Sequence, residues 1–210
     1  MDALCNQVLQ AVGSGDFAQL AHTCEELELM VHEEGLVMPS PAQLEQLGLI
    51  YTTHMLAYLL KGELNLARFL WKRTPSDVMV LPQPQNAHQA LCARWRLQYA
   101  EFFNVLSTSA WDQRLQPLVQ EVARTTREQQ LDKIGEVYKT VTVPRVAALA
   151  GLDEAGARNA CASRGWVVQD NGTVQPTPIV NADDLLQMGD AQLKKLTDYV
   201  AYLEQPQSKV

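Results

Sequence analysis

The chain has 210 residues, of which 47% are hydrophobic and 20% are charged, which is ordinary for a globular protein of one domain or two small ones. Its formal net charge of −7 repels phosphate and makes nucleic acid an unfavourable partner unless basic residues cluster locally. The amino terminus has no positively charged leader, and the most apolar run, Leu47 to Leu60, is too short and too polar for a bilayer. We therefore expect a soluble intracellular protein.

The first third of the chain has the periodicity of paired helices. A weak amphipathic helix is predicted over 2–12, and Asp16 is a suitable N-cap for the next one. A long helix is predicted from Pro41 to Lys61, and its apolar centre predicts that it lies between neighbouring helices. A single glycine separates it from a shorter helix over 63–73. Helix, tight turn and helix is typical of the antiparallel hairpins of helical-repeat proteins.

The middle of the chain begins with an expected break. Pro82 and Pro84 predict a loop over 76–85, with helical periodicity resuming at about Asn86. The helical pattern then continues, with an interruption at Trp111, as far as Tyr138. It leads directly into a segment of different character.

That segment begins with a strand and two short helices. A brief strand is predicted at Thr140–Val143, where β-branched residues dominate. Thr142 is a suitable N-cap for a helix that has Pro144 in its first turn, and Gly151 ends that helix. Asp153 is a suitable N-cap for a second helix.

A β-hairpin is predicted after Gly165, which closes the second helix. Trp166 to Gln169 and Thr173 to Gln175 flank a turn that contains Asn171-Gly172, a strong hairpin signal. Strand, helix, turn, helix and hairpin is the order of a winged helix. Winged helices either bind DNA or hold subunits together, so the fold alone does not decide the function.

The residues of this module argue against a DNA-binding role. Its second helix offers only two cations, Arg158 and Arg164, beside the carboxylates of Asp153 and Glu154. The wing turn carries Asp170 and no lysine or arginine. A helix in the major groove normally needs several donors together with phosphate contacts, so nucleic-acid binding remains the less favoured alternative.

A search for catalytic residues finds none that we would assign. The four histidines show no metal-ligand spacing, and neither a nucleophile elbow nor a glycine-rich phosphate loop is present. The cysteines lack C-x-x-C spacing, and Cys24 and Cys161 are expected to be free buried thiols. The carboxylates of 25–28 and 33–34 are expected to form a solvated face. We predict no metal, no cofactor and no enzymatic activity.

The carboxyl-terminal region has a linker over 176–184 followed by a helix that begins near Asp190. The apolar residues of that helix follow the 3-4-3 spacing of a coiled-coil or bundle seam: Leu193, Leu196, Val200 and Leu203. The helix either folds back on its own domain or joins helices of other chains. The linker and the narrow apolar stripe favour the second possibility.

Three stretches carry a resemblance to a known family. They are Asn65–Pro75 (NLARFLWKRTP), Gly165-Trp166 and Leu196–Glu204 (LTDYVAYLE). With the order of the helices, they resemble the PCI domain, which occurs in the proteasome lid, translation initiation factor 3 and the constitutive photomorphogenesis 9 signalosome, and they are most similar to the signalosome branch.

The resemblance implies a mainly α fold in three parts. Helical-repeat hairpins (1–126) would form an α-solenoid-like array, followed by a winged-helix subdomain (127–180), and then by a linker and a bundle helix (181–210). It also implies a non-catalytic scaffold subunit of the cytoplasm and nucleus. The assembled complex removes the ubiquitin-like modifier from cullins and so regulates cullin-RING ubiquitin ligases. A proteasome-lid subunit or subunit k of initiation factor 3 is the alternative.

The resemblance also implies where other subunits would bind. PCI subunits align through their winged helices, and their tail helices gather in a shared bundle. The hairpin edge would face a neighbouring PCI subunit through Trp166, Val168 and Val174, since an unpaired strand edge invites strand addition. Leu193, Leu196, Val200 and Leu203 would contact the bundle. No nucleic acid and no membrane are implied as partners.

Overall fold

The computed structural model describes residues 20–33, 40–169 and 172–176, together with 8, 10, 12, 17, 193–195 and 197–199. The fold is mainly α-helical, as predicted. In chain order the elements of the described residues are α1 Leu20–Glu33, α2 Pro41–Lys61, α3 Leu64–Arg73, α4 Ser76–Met79, α5 Pro82–Trp95, α6 Tyr99–Thr108, α7 Gln116–Val137, β1 Val141–Thr142, α8 Val143–Ala150, α9 Glu154–Ser163, β2 Val167–Val168 and β3 Thr173–Gln175.

Helix α2 is the centre of the helical part. Ser40 and Gln43 form a capping box at its start, and Gly62 ends it in the left-handed conformation with φ of 80°. Every residue from Leu47 to Leu59 is buried, because α1, α3, α5 and α7 all pack against this helix. The predicted helix, its bounds and its position between neighbours are confirmed.

The predicted loop over 76–85 is wrong, because α4 lies within it and α5 begins at Pro82 instead of Asn86. Pro82 is the first residue of α5 and Pro84 the third. Backbone N–H groups in the first turn of a helix have no intrahelical acceptor, so a proline there loses no hydrogen bond. Val78 of α4 is buried in the core, so packing holds this short helix in place.

Two hydrophobic cores lie along the chain, and α7 contributes to both. Leu118 and Val122 of α7 belong to the core of the helical part, whereas Leu131 and Ile134 belong to the core of the winged helix. The change from one core to the other lies between Ala123 and Leu131. A single rigid helix therefore connects the two parts.

The winged helix has the predicted element order. Pro144 lies in the first turn of α8 and Gly151 ends that helix with φ of 62°, while the Asp153 carboxylate accepts a hydrogen bond from the Gly156 N–H at the start of α9. Thr142 occupies the N-cap position of α8, but its side chain makes no capping hydrogen bond.

Several predicted elements lie wholly or partly outside the described residues. These are the helix over 2–12, the Asp16 N-cap, the linker over 176–184 and most of the tail helix. In the described part of the chain, no helix combines the length and the apolar character needed to cross a membrane.

Candidate functional site

The small sheet of the winged helix is the predicted contact surface, and its strand order determines which edge is free. The strands are antiparallel in the order β1-β3-β2. Strand β3 is therefore central, since it pairs with β1 on one side and with β2 on the other. The prediction that the whole hairpin forms an exposed edge is corrected: among the described residues, the hairpin strand that lies at an edge is β2, and β1 is the other edge strand of the sheet.

The backbone of β2 presents hydrogen-bonding groups to that edge at Val168. The N–H of Gln169 donates to the carbonyl of Thr173 at 2.8 Å, and the Gln169 carbonyl accepts from the N–H of Gly172 at 3.0 Å, so residues 169 and 173 share one ladder bond beside the turn. Antiparallel ladders alternate between bonded and non-bonded pairs. The next pair, Val168 opposite Val174, is therefore non-bonded, and the N–H and C=O of Val168 point away from β3.

The side chains around β2 divide between the core and the surface. Trp166 is 5% exposed and Val174 is fully buried, so both side chains serve the core of this chain. Val174 lies on the central strand β3, which pairs with β1 and with β2, so its backbone is also closed to a neighbour. The Trp166 ring packs over Gly135 of α7, where an added Cβ would lie 3.3 Å from Cζ2. Val168 is half-buried. Val167, which the sequence did not single out, is 57% exposed.

The recognition-helix position of the winged helix offers little to a nucleic acid. Arg164 pairs with the carboxylate of Asp132 and also donates to the Glu128 carbonyl. Of the two cations on the second helix, Arg158 is therefore the one left for a ligand, and it is exposed. The described geometry therefore gives no support to a major-groove reader, which needs several free donors.

A close contact between α6 and the end of α8 holds the winged helix against the helical part. An added Cβ on Gly151 would lie 2.1 Å from Cγ of Phe103, so the ring occupies the space that a side chain would need. The Arg127 Nε donates to the Ala150 carbonyl at 3.0 Å, and its guanidinium lies 5.3 Å from the Phe103 ring centre. These contacts determine how the free β2 edge is oriented relative to the helical hairpins.

The described part of the tail helix leaves its apolar residues uncovered. The Thr197 hydroxyl donates to the Leu193 carbonyl at 2.8 Å, as expected one helical turn later. Leu193 is 62% exposed and Tyr199 is 69% exposed. Leu196, Val200 and Leu203 have side chains outside the described residues.

Two of the three thiols among the described residues are buried, and the third lies beside a histidine. Cys24 and Cys161 are free and buried, as predicted; burial raises the pKa of the Cys24 thiol to about 12 and raises the pKa of Cys161. The Cys92 Sγ lies 3.5 Å from Nε2 of His88, but burial lowers the pKa of His88, so the ring is neutral and supplies no charge to a thiolate. The described residues also contain no group of three metal-ligating side chains.

A polar cluster lies between α1, α2 and α3, and no pattern in the sequence predicts it. Glu28 receives two hydrogen bonds of 2.9 Å from Arg73 and lies 3.8 Å from Nδ1 of the buried His54. Glu25 accepts a 2.8 Å hydrogen bond from the Tyr58 hydroxyl. The prediction of a solvated carboxylate face is therefore wrong for Glu28, whose side chain is 18% exposed, whereas the Glu25 side chain is 45% exposed. Their spacing of three residues puts them on one helix face, but nothing local in the sequence identifies their partners.

An array of helical hairpins that feeds a winged helix through one long helix defines a PCI-type scaffold. A sequence model of the CSN8/PSMD8/EIF3K family matches residues 45–183. The chain belongs to this family.

Curated relatives extend the similarity over nearly the full length. The chain is similar to COP9 signalosome complex subunit 8 of Xenopus laevis, with 27% identity over 207 residues, which cover 95% of this chain and 98% of the relative. It is also similar to the subunit 8 of Arabidopsis thaliana, with 23% identity over 94% of this chain and 97% of the relative. The subunit 8 of Drosophila melanogaster is 26% identical over 74% of this chain and 85% of the relative. The resemblance of the sequence motifs to the signalosome branch is confirmed.

Proposed function

We propose that this chain is a non-catalytic scaffold subunit of the signalosome, in the cytoplasm and nucleus. The complex would remove the ubiquitin-like modifier from cullins and regulate cullin-RING ubiquitin ligases. The observation that carries this proposal is the alignment with a signalosome subunit 8 over 98% of that relative's length.

We propose two surfaces for assembly. The free edge at Val168 would accept a strand from the winged helix of a neighbouring PCI subunit, because its backbone groups point outward and the exposed Val167 lies beside them. The tail helix would enter a shared helical bundle through Leu193, Leu196, Val200 and Leu203. The exposure of Leu193 supports this role, since an apolar seam requires a cover.

Affinity purification from the protein's own cells tests the assignment directly. Co-elution with the other signalosome subunits is the expected result. Co-elution with proteasome-lid proteins or with subunits of initiation factor 3 would instead support another branch of the same family. A chain that elutes alone would overturn the scaffold proposal.

Replacing Val168 with proline is expected to block strand addition while preserving the fold. Proline removes an N–H that points to the free edge, and an edge strand tolerates this loss because its internal ladder does not use that group. A photo-reactive amino acid at position 167 reports the contact through cross-linking in the purified complex. We expect the cross-link yield to fall by about tenfold, which corresponds to about 1.4 kcal/mol.

The matched control is Val168→Thr, which keeps both the N–H and the shape of the side chain. It should cross-link as well as the unmodified chain. If Val168→Pro also cross-links at the original yield, then the neighbour does not bind by strand addition at β2.

Replacing Leu196 and Leu203 with glutamate is expected to prevent co-purification with partners and to leave the isolated chain folded. Charges on the seam cannot be buried in a bundle without partners, but they remain solvated in the free chain. Circular dichroism and thermal unfolding measure the fold, and co-elution measures assembly. Lys194→Glu with Ala201→Glu is the control, since these positions lie off the seam. If the seam variant unfolds the free chain, the helix belongs to its own core.

A further inference from the structure

An exposed apolar surface lies on the helical part of the chain, on residues that belong to neither β2 nor the tail helix. Its apolar members come from α3 and from the end of α5: Phe69, Trp95 and Leu97, which are 51%, 45% and 68% exposed. Together with Arg68 and Lys72 we name these residues the basic aromatic patch. Large apolar side chains that cluster at the surface mark an interaction site more often than scattered ones do.

The patch carries positive charge that the described residues do not neutralise. The Arg68 guanidinium lies 5.1 Å from the centre of the Trp95 ring, and the Lys72 ammonium lies 5.9 Å from that of Phe69. Neither cation has a carboxylate at ion-pair distance among the described residues, whereas the adjacent Arg73 is paired with Glu28. Arg68 belongs to α3 and covers a ring of α5, so it joins the two halves of the patch.

Leu97 adds an unusual backbone feature. It has φ of 59°, the left-handed conformation that glycine normally adopts after a helix. The N–H of Leu97 donates to the Arg94 carbonyl and the N–H of Gln98 donates to the Ala93 carbonyl, which together form a Schellman motif. Because the Leu97 side chain is mostly exposed, its burial within this chain does not offset the strain.

We infer that the basic aromatic patch docks an acidic amphipathic helix of another polypeptide, one that carries large apolar residues flanked by aspartate or glutamate. The apolar side chains require an apolar partner surface, and the unpaired cations require carboxylates at its borders. This contact would be separate from the two assembly surfaces proposed above and does not depend on which complex contains the chain.

Charge complementarity favours this occupant over the other candidates. A second copy of this chain would bring the same positive patch against the first and place like charges together. A nucleic acid would need a row of phosphate-binding cations, whereas the patch has two cations among three large apolar side chains.

Site-specific photo-cross-linking in the purified native assembly tests the inference. A photo-reactive amino acid at position 69 is expected to cross-link to a helical segment of another chain with acidic residues beside apolar ones, identified by mass spectrometry. Cross-links to nucleic acid, to lipid, to this chain or to a second isotopically labelled copy of it would overturn the inference. So would the absence of any cross-link.

Two variants separate docking from folding. Arg68→Glu with Lys72→Glu is expected to lower the cross-link yield by about tenfold or more, because like charges would face each other. Lys133→Glu with Arg158→Glu makes the same change of charge at exposed positions outside the patch and should have no effect. Equal yields from both double variants would contradict the charge argument.

Leu97→Gly provides the complementary variant, because glycine relieves the left-handed strain. We expect the midpoint of thermal unfolding to stay unchanged or rise while the cross-link yield from position 69 falls. A reduced yield in a chain of equal or greater stability cannot result from unfolding. An unchanged yield would remove Leu97 from the contact surface and overturn that part of the inference. A cross-link at position 167 in the same preparation reports the sheet-edge contact, so failure of either surface is recognised separately.

Discussion

Replacing Gly151 with alanine is expected to lower the free energy of unfolding by about 3 kcal/mol, from steric overlap in a packed core and from left-handed strain together. The new Cβ would lie 2.1 Å from Cγ and 2.5 Å from Cβ of Phe103, so a whole aromatic side chain must move. Gly151 also has φ of 62°, which alanine adopts only with strain. Chemical denaturation measures the change.

Gly165→Ala is the matched control. Gly165 has φ of 71° and an added Cβ there meets nothing within 4 Å, so only the backbone strain remains, about 1 kcal/mol. The difference between the two variants isolates the contact between α6 and the winged helix. Equal losses would mean that Phe103 yields easily and that this contact does not fix the orientation of the β2 edge.

The stability of the protein is expected to fall as the pH is lowered from 6.5 to 4, by about 3 kcal/mol from His54 alone. Burial lowers the pKa of His54 to about 4 from its ordinary value of 6.5, although Glu28 and Glu25 oppose the shift and Arg73 adds to it. Above pH 6.5 the imidazole is neutral in both states and contributes no pH dependence. Between the two values the unfolded chain binds a proton that the folded chain does not, so unfolding becomes easier.

The comparison with His54→Leu isolates this contribution, because the other titrating groups are common to both chains. Nε2 of His54 has no hydrogen-bond partner among the described residues, so leucine also removes an unsatisfied buried nitrogen. The difference in unfolding free energy between the two chains should change steadily through this pH window and be constant above it. Parallel pH profiles would show that the imidazole is accessible to protons in the folded state.

These two predictions concern the same structural question, which is how the helical part presents its contact surfaces. The Phe103–Gly151 contact fixes the winged helix on one side of the helical layers. The cluster around Glu28 fixes α1 and α3 on α2, and α3 carries half of the basic aromatic patch. Loss of either contact is therefore expected to weaken assembly indirectly, in addition to the loss of stability.

The sequence by itself determined the elements whose signals are local. The bounds of α2 follow from Ser40 with Pro41 at one end and Gly62 at the other, and the two short helices of the winged helix follow from Pro144, Gly151 and Asp153. Caps and tight turns involve residues within one helical turn of each other, so a short stretch of sequence is enough to predict where a helix begins and ends. The motifs at Asn65–Pro75 and Leu196–Glu204 likewise identified the family before any fold was known.

The tertiary structure decided what depends on distant partners. A proline in a loop and a proline in the first turn of a helix cannot be told apart from the local sequence. Pro82 and Pro84 lie in the first turn of α5, and the packing of Val78 and its neighbours stabilises this helical arrangement. Strand β3 became central because β1, about thirty residues earlier, pairs with it, which left β2 as an edge and buried Trp166 and Val174. Burial, strand order and charge pairing are set by which segments meet in space, and that choice is made by the sum of many weak contacts across the whole chain.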